Sequence, residues 1–206
     1  MRRKSSILLG VLACSVLGFF VTQRLVLMAN KPVWPEDSDL ALLAQVEPLN
    51  PDSIVPIEYQ RNEQELSRLA GKRTWDFDTF RKVRAYLLDP PPMLSEEEGY
   101  TPDDVGRFFN HLTAFAILEV RYKEDPALPD AIRSEIEADF IRRLKSEHSM
   151  DRLGSATALI DFGLWKRLDI HPQIAHMMRN DPNDGNRLVL SVKARRGDWN
   201  PKGTRE

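Results

Sequence analysis

Fifteen residues from Ile7 to Val21 carry no charge, and Arg2, Arg3 and Lys4 precede them across Ser5 and Ser6. A basic tip on an apolar run marks an export or membrane-targeting segment. This feature splits the chain, because so apolar a run is not the face of an ordinary water-exposed helix. A full span needs about 20 apolar residues and at least ~17. Ser5 to Val21 meets that lower limit; Thr22, Gln23 and Arg24 interrupt it, and Leu25 to Ala29 resumes it. Near a helix end Arg24 can snorkel to the interface. The preferred expectation is an uncleaved transmembrane signal-anchor. Two alternatives stay open. Cleavage after Ala29 would leave Leu27 at −3, a poor fit. Lipidation at Cys14, in Val11-Leu-Ala-Cys14, would leave the apolar run continuing past the lipid. The positive-inside rule keeps Arg2, Arg3 and Lys4 in the cytoplasm and exports the rest, to the periplasm in a Gram-negative cell.

The boundaries expected are 1–30 for the basic tip and anchor, 31–61 for a proline-rich stalk, 62–197 for a helical domain and 198–206 for a basic tail. After residue 30, 25 basic residues face 31 acidic ones, a net of −6. Nucleic acid is therefore an unsuitable partner, since phosphate neutralisation supplies most of that affinity. Apolar residues make up 42% of the chain, enough for a sizeable core. Cys14 is the only cysteine, so no intramolecular disulfide can staple the exported part.

Pro32, Pro35, Pro48, Pro51 and Pro56 mark the stalk, with one short helix near Leu40–Val46. Asn62-Glu-Gln-Glu65 matches a capping box and predicts a helix start. Asp76 predicts a cap for a helix carrying Phe77, Phe80, Val83 and Leu87. Thr101-Pro-Asp-Asp104 is the strongest start signal: an N-cap threonine, a proline at the first helical position and acids at the positive helix end. That helix should reach about Lys123. Ile132, Ile136, Phe140 and Leu144 predict the next. Ser149 predicts another with Leu153, Ile160, Leu164 and Leu168, and Pro172 a short one. Residues 187–193 alternate like a strand but have no partner strand, so a final helix over about 186–196, stopped by Gly197, is preferred. The fold class is all-α: six or seven short antiparallel helices, with stacked helix pairs as the architectural analogy.

Chemical motifs are sparse. The chain has no G-x-x-x-x-G-K-S/T, G-x-G-x-x-G, G-x-S-x-G or H-E-x-x-H. No cofactor and no metal site are expected. His171 and His176 are five apart, about 140° around a helix, and cannot share a face as metal ligands. Asp181-Pro-Asn-Asp-Gly185 places its glycine too early for a calcium loop and predicts a turn. Arg196-Gly-Asp198 is explained by helix termination. Glu96-Glu-Glu98 with Asp103 and Asp104 is read as a solvated loop and a helix start. Phe108, Phe109 and Trp165 are assigned to the core. Trp34 and Trp199 are candidate interface residues.

One residue breaks the pattern. On the helix after Thr101, Val105, Phe108, Phe109, Leu112 and Ala116 form an apolar arc, and Glu119 projects into it. A charge there must be paired or protonated. Lys123 at i+4 and Arg133 across the next loop are the candidate partners; otherwise Glu119 is a candidate catalytic or binding carboxylate. Two function classes follow. The favoured one is a single-span, membrane-anchored helical binding or scaffold module of the cell envelope, its exported domain docking a protein partner of unknown identity. The alternative is an anchored envelope enzyme or ligand-binding domain using a carboxylate such as Glu119.

Overall fold

The structure is a computed structural model, and it describes residues 38–53, 55–88 and 101–202. The expected anchor, Cys14, Trp34 and Glu96–Glu98 lie outside the described residues. Among the described residues every regular element is helical. We number the α-helices α1 (Asp39–Leu43), α2 (Ile57–Ala70), α3 (Phe77–Leu88), α4 (Pro102–Glu124), α5 (Asp130–Arg143), α6 (Ser149–Asp161), α7 (His171–Asn180) and α8 (Asp184–Arg196), with a 3₁₀ turn at Leu164–Lys166.

Most start signals act as their chemistry requires. The Thr101 side chain accepts from the backbone N–H of Asp104, and Asp104 accepts from the backbone of Thr101, which completes a reciprocal cap. Asp76 accepts from the backbone of Thr79 at 2.7 Å and opens α3. Asn183 caps α8, and Gly197 ends it at φ 84°, a left-handed turn that favours glycine. Residues 187–193 are thus helical. Their alternation misleads because the apolar residues do not share a face: Leu190 is buried, whereas Leu188 and Val189 are exposed.

Two expectations need correction. α2 starts at Ile57, after Pro56, so Asn62 lies inside the helix and caps nothing. Proline is well suited to a helix start, and the match at Asn62 is coincidental. α6 ends at Asp161, with Gly163 at φ 73° just beyond it, so the stripe expected to reach Leu168 is cut short. Leu168 is 93% exposed.

α4 is the hub: it packs against α1, α2, α3 and α5, while α5 packs on α6 and α7 on α8. A continuous core runs from Leu66 through Phe80, Leu118, Phe140 and Leu159 to Trp199. The proline-rich residues belong to this body from Ser38 onward. Leu40 in α1 is fully buried, and the backbone N–H groups of Asp39 and Leu40 donate to Glu124 at the far end of α4.

Arginines close the helix ends. The last carbonyls of a helix lack internal partners, and a cation suits that negative end. Arg121 donates to the carbonyls of Ala70 and Lys72 after α2. Arg143 donates to Leu87 at the end of α3. Arg133 donates to Tyr122 and Asp125 at the end of α4. Arg187 donates to Asp181 after α7. Four aspartates hold these and neighbouring guanidinium groups: Asp125 on Arg121, Asp151 on Arg143, Asp181 on Arg152 and Asp139 on Arg84.

Candidate functional site

α4 is apolar on two sides. Ala114, Ile117 and Leu118 face the core. Val105, Phe109, Leu112, Ala116 and Val120 recur every three or four residues on another side and floor an open groove of about 730 Å³. Leu42 and Leu43 of α1 and Tyr59 of α2 complete its apolar walls. The arc read from the sequence is therefore real, but much of it faces this groove; Phe108 and Phe109 are only half-buried.

Polar side chains build the outer wall. Gln60 donates to the carbonyls of Asn50 and Val55 and accepts from the backbone of Asn50. Gln64 donates to the carbonyl of Glu47. These bonds clamp the α1–α2 connection onto α2 and keep the groove from collapsing. At one end α2 and α4 approach so closely that a Cβ added to Gly106 would overlap the Tyr59 ring. The carboxylates lining the groove are Asp39, Glu47 and Glu63, and its lining includes no lysine, arginine or histidine. Burial and the neighbouring carboxylates of Asp103, Glu58 and Asp104 push the Tyr59 hydroxyl above its usual pKa, with Arg107 opposing.

Glu119 does not line the groove. It is half-buried and, among the described residues, neither Lys123 nor Arg133 forms an ion pair with it. Arg133 spends its donors on the end of α4 and lies over the Tyr122 ring. Its helix-capping role withdraws it from the expected cross-loop pair. Burial raises the Glu119 carboxyl above its ordinary value; Lys123 and Lys193 oppose the rise, and Asp161 and Asp39 add to it. Lys193 itself bonds Asp161 at 2.6 Å.

Trp199 is a core residue, 1% exposed, with its indole N–H on the carbonyl of Leu190. The segment after α8 folds back to bury it, so Trp199 does not present a surface. Trp165 is buried as expected. His171 opens α7 and contacts the carbonyl of Asn200, while His176 is exposed. Helical spacing alone does not single out His111. Its two ring nitrogens face the Asp151 carboxylate at 2.7 Å and the Tyr86 carbonyl at 3.2 Å, joining α4, α6 and α3. No local signal exists for such a pair, because forty residues separate its members.

Among the described residues no group of three or more His, Cys, Asp and Glu side chains could hold a metal ion, and no helix is long and apolar enough to cross a membrane. No family model matches the chain, and no curated protein or solved structure shows significant similarity to it.

Proposed function

We propose that the chain is a single-span, membrane-anchored helical binding module of the cell envelope, whose exported domain docks a protein partner through the groove between α1, α2 and α4. The groove carries this reading. A folded domain seldom leaves a broad apolar concavity open to water unless something occupies it. Its floor holds apolar side chains of three helices and its rim is polar, the composition of a docking surface. The anchor rests on Arg2, Arg3 and Lys4 before the apolar run, and the outward orientation on the positive-inside rule.

A photo-crosslinking residue at Leu112, in the full-length chain in intact membranes, tests the docking. The expected result is a protein-sized adduct that disappears when Ala116→Trp fills the groove. Adducts with lipid alone, or an adduct indifferent to Ala116→Trp, would overturn it. A reporter active only outside the cytoplasm, fused after Glu206 in a bacterial host, should be active; a cytoplasm-only reporter active there would reverse the orientation. The alternative of an anchored enzyme has one observation in its favour, the half-buried carboxyl of Glu119 with its raised pKa. That carboxyl lies off the groove, which favours the binding reading.

A further inference from the structure

A helix face outside the groove carries exposed apolar and basic side chains together. No residue of α8 lines the groove. Asn186, Leu190 and Ala194 of α8 are buried or packed on the core. On the opposite side Leu188, Val189, Val192, Arg195 and Arg196 share an arc of about 120°, at about 100° per residue. Leu188 is 60% and Val189 37% exposed, Val192 is half-buried, and both arginines are exposed. A place in the last turn suits the arginines to the helix dipole, but the dipole does not call for bare Leu188 and Val189 beside them.

Charge and position name the occupant. α8 carries four basic residues and one acid, a net of 4 − 1 = +3, on a chain whose residues after 30 sum to −6. Asp184 takes Arg187 and Asp161 takes Lys193. Arg195 bonds the Ser191 carbonyl of its own helix, and among the described residues no carboxylate pairs with Arg195 or Arg196. Guanidinium groups without a carboxylate, beside bare leucine and valine, are the pattern of a helix lying in a membrane interface. Its apolar side chains enter the headgroup–acyl boundary and its cations meet anionic lipid. The tether keeps this face near a bilayer. Nine peptide steps lead from Ala29, the last apolar residue of the expected anchor, to Ser38, a reach of at most ~30 Å. α8 lies at the same end of the body as α1, because Asp39 of α1 and Lys193 of α8 both act on the Glu119 carboxyl.

We infer that the outer face of α8 rests on the anionic phospholipid surface of the membrane that holds the anchor, with Leu188, Val189 and Val192 at the headgroup–acyl boundary and Arg195 and Arg196 on lipid phosphates. This rests on the anchor proposed above and is independent of what fills the groove.

The test uses the full-length chain reconstituted into vesicles of phosphatidylcholine, alone or mixed with an equal part of phosphatidylglycerol. An environment-sensitive fluorescent amino acid replaces Leu188, and brominated acyl chains serve as quencher. In the mixed vesicles the emission should shift to the blue and be quenched by bromine; in phosphatidylcholine alone both effects should be small. At about 1 M salt, where the Debye length is ~3 Å, the quenching should fall away. Arg195→Gln combined with Arg196→Gln should lower the docked-to-undocked ratio about thirtyfold, whereas the pair Arg195→Lys and Arg196→Lys should keep it. The same probe at Phe77 on α3 should respond to neither lipid. Equal quenching in the two lipids, an unchanged response in the double glutamine variant, or equal quenching at Phe77 would overturn the inference. So would a blue shift without bromine quenching, which would put Leu188 against protein, a second copy included. Extraction with alkaline carbonate tests the anchor by itself. If the chain resists carbonate and Leu188 stays unquenched, the inference falls and the anchor stands. If carbonate releases the chain, both fall.

Discussion

Glu119 and Asp151 are carboxylates on or against the same helix, with opposite signs of pH dependence. Burial raises the Glu119 carboxyl, so the folded chain holds that proton more tightly than the unfolded chain does. Stability from this group is then fullest below the ordinary glutamate value and falls as pH rises from there through the raised value. Glu119→Gln removes that loss. The variant should melt above the parent at pH 7 and level with it near pH 4. A lower melting temperature at pH 7 would mean that the charged form has a partner. Because Arg133 caps α4 and does not meet Glu119, the effects of Glu119→Gln and Arg133→Met should add.

For Asp151, burial pushes the carboxyl up. The bond from His111, the charges of His111 and Arg143 and the bond from Ser146 outweigh it and hold the carboxyl below its usual value. Its contribution is complete above the ordinary aspartate value and is lost as pH falls through the depressed one. Asp151→Asn strips Arg143 and His111 of their acceptor. It should cost about 3–5 kcal/mol at pH 7 in urea unfolding. It should also flatten the acid limb of the stability curve; an unchanged acid limb would assign acid sensitivity to other carboxylates. Asp181, held low chiefly by the bond from Arg152, has the same sign.

At the scale of elements, the crossing of α2 and α4 sets the groove. Gly106 lets Tyr59 lie against the α4 backbone. Gly106→Ala raises helix propensity in an exposed setting, but here the added methyl must displace the Tyr59 ring. Overpacking of this kind costs about 1–3 kcal/mol. The expected outcome is a lower melting temperature for Gly106→Ala, partly restored by adding Tyr59→Ala. A rise in stability for the single variant would show that the two helices can separate without loss. The helix starts at Thr101 and Asp76 were legible because capping depends on residues three or four apart. The false start at Asn62 shows the limit of that reasoning. Asn62-Glu-Gln-Glu65 satisfies the local chemistry, yet the helix already began at Ile57. The stop of α6 was missed because Leu164 and Leu168 kept the period while Gly163 broke the backbone.

At the scale of the whole molecule, the stalk expected over 31–61 is integrated into the domain from Ser38 onward. A fragment beginning at Ser38 should melt cooperatively and well above one beginning at Asn62. The shorter fragment removes five residues of α2 and exposes the surface that Leu40 covers. Losing a buried leucine contact alone costs about 2–5 kcal/mol. Equal melting of the two fragments, followed by circular dichroism, would show that α1 is only laid on the surface.

The sequence by itself determined the all-α class, most helix starts and stops, and the apolar stripe of α4, because each depends on neighbours within a turn or two. It also marked Glu119 as an anomaly, since helical projection needs no partner. Tertiary structure alone decided which side of α4 meets the core and which floors a groove. It placed Trp199 inside, turned Arg133 from Glu119 to the end of α4, and joined His111 to Asp151. Those outcomes depend on residues far apart in the chain, and an apolar face carries no record of what will cover it.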